Sequence, residues 1–157
     1  MADTDPHQRF LTRAHDEHNF EPEPQRFPDG TETASDAAAA LGCEQAQIAS
    51  SIALVADELV VVITSGANRV DTRELATLRG VHTARMAEPD EVTETLGYEV
   101  GGVPPFGHDT AVPMYADETL TEFDTVWAAA GSPETVFPIS PDCLLEITGA
   151  TVADLAE

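Results

Sequence analysis

Gly101-Gly102-Val103-Pro104-Pro105-Phe106-Gly107-His108 constrains the fold more than any other stretch of this chain. Three glycines and two prolines fall within those eight residues, so neither a helix interior nor a central strand can hold it. Proline fixes φ and removes a donor, whereas glycine permits positive φ and close approach of backbone. The stretch reads as a rigid, shaped loop whose own N–H and C=O groups can hold a ligand. A plain structural turn between two elements fits the composition equally well.

With 157 residues the chain has room for one domain with a sizeable core, and a hydrophobic content of 42% places it among globular proteins. No apolar run reaches membrane-spanning length, and the first residues, Met1-Ala2-Asp3-Thr4-Asp5-Pro6, are polar and acidic. Neither a signal peptide nor a membrane partner is expected, and the cytoplasm is the default compartment. Cys43 and Cys143 have no ligand spacing and read as small buried hydrophobes. No P-loop, GxGxxG, HExxH, GxSxG or CxxC pair occurs, so no cofactor or metal is expected.

The charge is extreme. Twenty-nine acidic residues against seven basic ones give −22, and every cation is an arginine, with no lysine in the chain. Self-repulsion on that scale opposes compaction in dilute buffer. At 1 M salt the Debye length is about 3 Å and the repulsion is largely screened. An acidic, lysine-free composition fits a protein from an extreme halophile; the alternative is an acidic protein that avoids anionic partners. The halophile reading predicts a melting temperature that climbs steeply from dilute buffer to molar KCl in a thermal scan. A flat response would refute it. In such salt the net charge says little against a nucleic-acid partner.

Along the chain, residues 1–20 read as a helix, with Phe10, Leu11 and Ala14 at helical spacing. Glu21-Pro22-Glu23-Pro24 breaks it and Phe27-Pro28-Asp29-Gly30 makes a turn. Thr33 or Ser35 caps a helix that Gly42 ends, and a short helical piece covers Glu44–Ala49. Ser51–Ala56 and Leu59–Thr64 read as a hairpin around a two-residue turn, Asp57-Glu58. The second run is continuous and β-branched, as in a strand buried on both faces. Asp71 and Glu74 fit a capping box for a helix ending at Gly80. A short strand at Val81–Ala84 and a helix from Pro89 to Leu96 follow. Beyond the Gly/Pro loop come a strand near Ala111–Tyr115, a short helix at Asp117–Phe123, strands at Val126–Ala130 and Thr135–Pro138, and a last helix at Asp142–Thr148. The intermixing predicts an α+β domain whose mixed sheet is wrapped by helices.

Few side chains stand out as chemistry. His15-Asp16-Glu17-His18 puts two histidines one helical turn apart, but such an acidic face is ordinarily solvated. His108 closes the Gly/Pro loop and is either a pocket residue or a histidine bonded to backbone. Ser65-Gly66-Ala67-Asn68-Arg69-Val70-Asp71 leads from the most hydrophobic strand to a helix start, a common place for ligand contacts. There Asn68 equally suits a left-handed turn, and Arg69 a surface ion pair.

The order of Thr33–Gly42, Gln47-Ile48-Ala49-Ser50-Ser51-Ile52, Ser65–Asp71, Gly97-Tyr98 with the Gly101–His108 loop, and Val126-Trp127-Ala128-Ala129-Ala130-Gly131-Ser132-Pro133 resembles the YbaK-type aminoacyl-tRNA deacylases. These are freestanding relatives of the editing domain inserted in bacterial prolyl-tRNA synthetase. The resemblance covers about residues 20–155, so residues 1–157 form one such domain. It implies a mixed, largely antiparallel sheet in a distorted barrel flanked by helices. It also implies trans-editing: hydrolysis of the ester between a wrong amino acid and its tRNA. The partners implied are the acceptor end of aminoacyl-tRNA and an aminoacyl-tRNA synthetase. By resemblance Gly101, Gly102 and Pro105 form the substrate-carbonyl loop, whose backbone N–H groups face that carbonyl, with Gly107 and His108 as pocket wall. Asn68 and Arg69 then contact the tRNA terminus, and Gly131 and Ser132 line the pocket from the opposite side. Ser50 holds the position of the family's usual lysine, and serine brings one donor but no cation. The same pocket without that charge implies an alternative, a weakened or inactive module that binds aminoacyl-tRNA or a small ligand.

Overall fold

A computed structural model describes residues 5–27 and 33–157. The expected turn at Phe27–Gly30 falls mostly outside these described residues. Helix α1 (Pro6–His18) begins where Asp5 accepts from the His7 N–H and ends at Asn19 in the left-handed region. After it come β1 (Gln25–Arg26) and α2 (Ala34–Leu41), the latter capped by Thr33 and ended by Gly42, as its sequence implies. The helical piece expected at Glu44–Ala49 shrinks to a 3-10 turn at Gln45–Gln47, because Ile48 and Ala49 are drawn into strand pairing.

Strands β2 (Ile48–Ala56) and β3 (Glu58–Ser65) form the central hairpin. Its register pairs Ala56 with Glu58, so Asp57 alone, at φ 78°, makes the tip in place of a two-residue turn. The β-branched run behaves as expected: Val61 and Ile63 face one core cluster, Val60 and Val62 the other.

Asp71 caps α3 (Thr72–Arg79) through the N–H groups of Arg73 and Glu74. The strand expected at Val81–Ala84 is absent; the two residues that pair are the next ones, β4 (Arg85–Met86). Helix α4 (Pro89–Leu96) opens on Pro89 behind a capping box between Glu88 and Glu91. Residues 97–113, the Gly/Pro segment included, carry neither helix nor strand. Then follow β5 (Met114–Asp117), a 3-10 turn at Glu118–Glu122, β6 (Val126–Ala129), β7 (Thr135–Ile139), α5 (Pro141–Thr148) and β8 (Thr151–Ala153).

The sheet runs β1-β7-β6-β2-β3-β5-β8, with β4 added to β2. Pairs β1/β7, β6/β7, β2/β3 and β2/β4 are antiparallel, while β2/β6, β3/β5 and β5/β8 are parallel. The expected mixed sheet with flanking helices is therefore present, and its path stays open between β1 and β8. Among the described residues no helix is long and apolar enough to cross a membrane.

Helix α1 is part of the core rather than an appendage. Phe10 is fully buried, with its ring centroid 5.2 Å from both Phe106 of the loop and Phe137 of β7. From the same face Arg9 donates to the Gly97 carbonyl and Arg13 to the Gly107 carbonyl, so one helix grips both ends of the Gly/Pro loop.

Candidate active site

Two short strands share one edge of β2. Strand β6 pairs with Ile48 and Ala49, and β4 pairs with Leu54 and Val55, while β3 occupies the opposite edge throughout. Between β6 and β4 the edge of β2 is left uncovered. A cavity of about 290 Å³ opens there, lined by Ile48–Ala53 of β2, by α2 through Ala34 and Ala37, by Val92 of α4, and by Val100, Gly101 and Val103. Met86 and Val100, 56% and 60% exposed, stand among its lining residues with half-buried Trp127. Among the described residues the lining holds no charged side chain; its polar side chains are the hydroxyls of Thr33, Ser50 and Ser51 and the indole of Trp127.

Two residues singled out from the sequence meet here. Ser50 lies on β2 at the uncovered edge, and Gly101, at φ 95°, forms part of the wall. Gly102 and Ser132 meet directly behind it: a Cβ on Gly102 would stand 2.9 Å from the Ser132 Cα, so the loop and the β6–β7 turn touch backbone to backbone. The Ser132 hydroxyl lies 2.9 Å from that of Thr135 and holds the same turn. Gly131, at φ 98°, packs against Pro6 and His7 of α1, where a Cβ would collide with the Pro6 carbonyl.

Pro105, Gly107 and His108 do not line the cavity. Pro105 is buried within the loop, and Gly107 turns at φ 81° so that its carbonyl accepts from the Tyr98 hydroxyl at 2.8 Å and from Arg13 at 2.9 Å. The His108 ring folds back on the loop, its Nε2 2.7 Å from the Pro104 carbonyl. Burial pushes its pKa down, favouring a neutral ring that donates to that carbonyl.

Asn68 and Arg69 sit at the far end of β3. Asn68 donates to Asp117 Oδ2 at 2.9 Å and to the Thr119 hydroxyl, next to the Ser65 N–H, which donates to the same carboxylate. This loop does not line the cavity but backs one of its lining residues: Gly66 packs so tightly on Ala34 that an added Cβ would stand 2.5 Å from that side chain. Arg69 is exposed, and among the described residues its guanidinium has no hydrogen-bond or ion-pair partner. His15 and His18 do not converge: His15 bonds Asp16, while His18 stands edge-on to Phe106.

Sequence reasoning missed Ser51. It shares a strand face with Ala49 and Ala53, both in the core cluster beneath the cavity, and its hydroxyl is buried with no partner among the described residues. Period-two alternation would have found it once the strand was begun at Ile48 rather than at Ser51.

The profile of the aminoacyl-tRNA editing domain matches residues 28–147. The chain belongs to that family. A crystal structure described as a proposed trans-editing enzyme for prolyl tRNA synthetase superposes with a TM-score of 0.91 at 38% identity, covering 97% of each chain. The Bacillus subtilis protein YwhH, itself uncharacterised, is 33% identical over 85% of this chain and 86% of its own length. The proline–tRNA ligase of Lactobacillus johnsonii is 30% identical over 73% of this chain, a match that spans 22% of the ligase. The YbaK-type resemblance therefore holds, and Gly101 and Val103 of the Gly/Pro loop wall the cavity at the uncovered edge of β2.

Proposed function

We propose that this editing domain hydrolyses, in trans, the ester that joins a wrong amino acid to its tRNA. The observation that carries this reading is the cavity at the gap in the sheet: apolar, about 290 Å³, and walled by Gly101 of the family loop. That volume lies near the lower end for small-molecule sites, which suits a small aminoacyl side chain and turns larger ones away. Gly101, Gly102 and Pro105 shape the wall beside the reacting carbonyl, water attacks it, and a ribose hydroxyl of the tRNA terminus assists. Arg69, with its guanidinium free, is available to a phosphate of the acceptor end, and Asn68 fixes its loop. The site of action is the cytoplasm, where tRNA is charged.

One observation favours a second reading, a module that binds aminoacyl-tRNA without cleaving it. No cation reaches the cavity from the described residues, and by the resemblance Ser50 takes the place of the family's usual lysine. The test is deacylation of a panel of misacylated tRNAs in molar KCl, wild type beside Ser50→Lys. A hydrogen bond to a charged group is worth about 1.5–3 kcal/mol, so the lysine is expected to raise the rate by about one to two decades. Wild-type turnover of one or a few substrates establishes the editing enzyme. Turnover by Ser50→Lys alone establishes the binding module, and turnover by neither variant overturns the hydrolytic reading.

A further inference from the structure

We propose that Ser51 holds the aminoacyl group as a one-residue β-bridge in the gap between β6 and β4. The proposal deepens the editing reading and rests on it. Along β2 the odd-numbered residues turn their backbone groups away from β3: Ala49 pairs with β6, and the Ala53 carbonyl accepts from the Ala87 N–H at 3.0 Å. Ser51 lies between them, beyond the last pair with β6 and before the first with β4. Its N–H and C=O therefore point into the gap, where neither the β6 ladder nor the β4 ladder reaches Ser51. Its hydroxyl, unpartnered among the described residues, is buried just beneath the cavity that Ser51 lines. One residue thus brings three polar groups to the place where the sheet is interrupted, and a buried hydroxyl of this kind ordinarily finds a partner.

An extended aminoacyl group carries the complementary pair on one side: an α-ammonium that donates and an ester carbonyl that accepts. Laid along the edge, it donates to the Ser51 carbonyl and accepts from the Ser51 N–H, which polarises the carbonyl that water attacks. Directly opposed residues place their Cβ atoms about 4.5–5.5 Å apart on one face. The substrate's side chain then enters the cavity beside the Ser51 hydroxyl. A small side chain that can bond to that hydroxyl is preferred to an alkyl group of equal size.

The probes are two unhydrolysable amides of 3′-amino-3′-deoxyadenosine, one seryl and one 2-aminobutyryl, titrated calorimetrically in molar KCl. Exchange of the Ser51 amide is followed by NMR. Wild type is expected to prefer the seryl probe about tenfold, and Ser51→Ala to bring the two within about twofold. Binding is expected to slow exchange at Ser51. Because the hydroxyl has no partner to lose, Ser51→Ala melts no lower than wild type, which separates this role from a structural one. Binding with unchanged Ser51 exchange overturns the bridge and leaves the editing reading standing. A seryl preference that survives in Ser51→Ala overturns the role of the hydroxyl. Failure of wild type to bind either probe overturns the editing reading and the bridge together.

Discussion

Replacing Phe10 by Ala is expected to cost about 3–5 kcal/mol of stability, the range for emptying a fully buried aromatic site. The measurement is the urea midpoint in molar KCl, read with an unchanged m-value. The size of the effect follows from what Phe10 touches. It fills the space between Phe106 and Phe137, and Phe20 closes on the same pair at 5.9 and 6.0 Å. Four rings from α1, its trailing residue, the Gly/Pro loop and β7 thus form one cluster. A loss of less than 1 kcal/mol would mean that α1 docks on a domain stable without it. That outcome has some claim to be tested, because the family profile begins only at residue 28.

Gly101→Val is expected to abolish deacylation, by about a hundredfold or more, while the protein stays folded. Gly101 holds φ 95°, which valine enters only with strain, and it forms part of the cavity wall. The backbone must then shift beside the reacting group, and a displacement of about 1 Å there can cost a hundredfold in rate. The check is kcat/KM on the best substrate beside a thermal melt of the same variant. Activity retained at wild-type level would place the chemistry elsewhere. Loss of fold would return the Gly/Pro stretch to a structural turn. Gly102 is the contrasting neighbour: even Gly102→Ala drives a methyl into the backbone of Ser132, so there stability suffers along with activity.

Much of the fold was legible because local signals were strong. Thr33, Asp71, Ser140, Gly42, Gly80 and Gly149 cap or end helices as their chemistry dictates. The β-branched run of β3 proved buried on both faces. What escaped was long-range. Gln25-Arg26 and Thr151–Ala153 are strands only because β7 and β5 offer edges to them, and nothing in such short exposed runs announces it. Ile48 and Ala49 look helical after Gln45–Gln47 until β6 pairs with them.

The candidate site divides the same way. The Gly/Pro loop was plain, and so was a serine at the head of β2. The sequence could not say that β6 and β4 stop short of each other and leave Ser51 in the gap between them. Nor could it say that His108 would bond its own loop instead of facing the cavity.

The two arginines of α1 have a further consequence for a chain so short of cations. Arg9 and Arg13 meet carbonyl oxygens, at Gly97 and Gly107, as well as the Asp109 carboxylate that Arg13 also reaches. Ion pairs on an acidic surface fade as electrolyte is added, but a bond to a neutral carbonyl, made at contact distance and partly out of water, has little long-range field to lose. Added salt that quiets repulsion across the exterior therefore leaves the anchoring of this loop almost untouched. A polypeptide with seven positive side chains has placed two of them where salinity matters least.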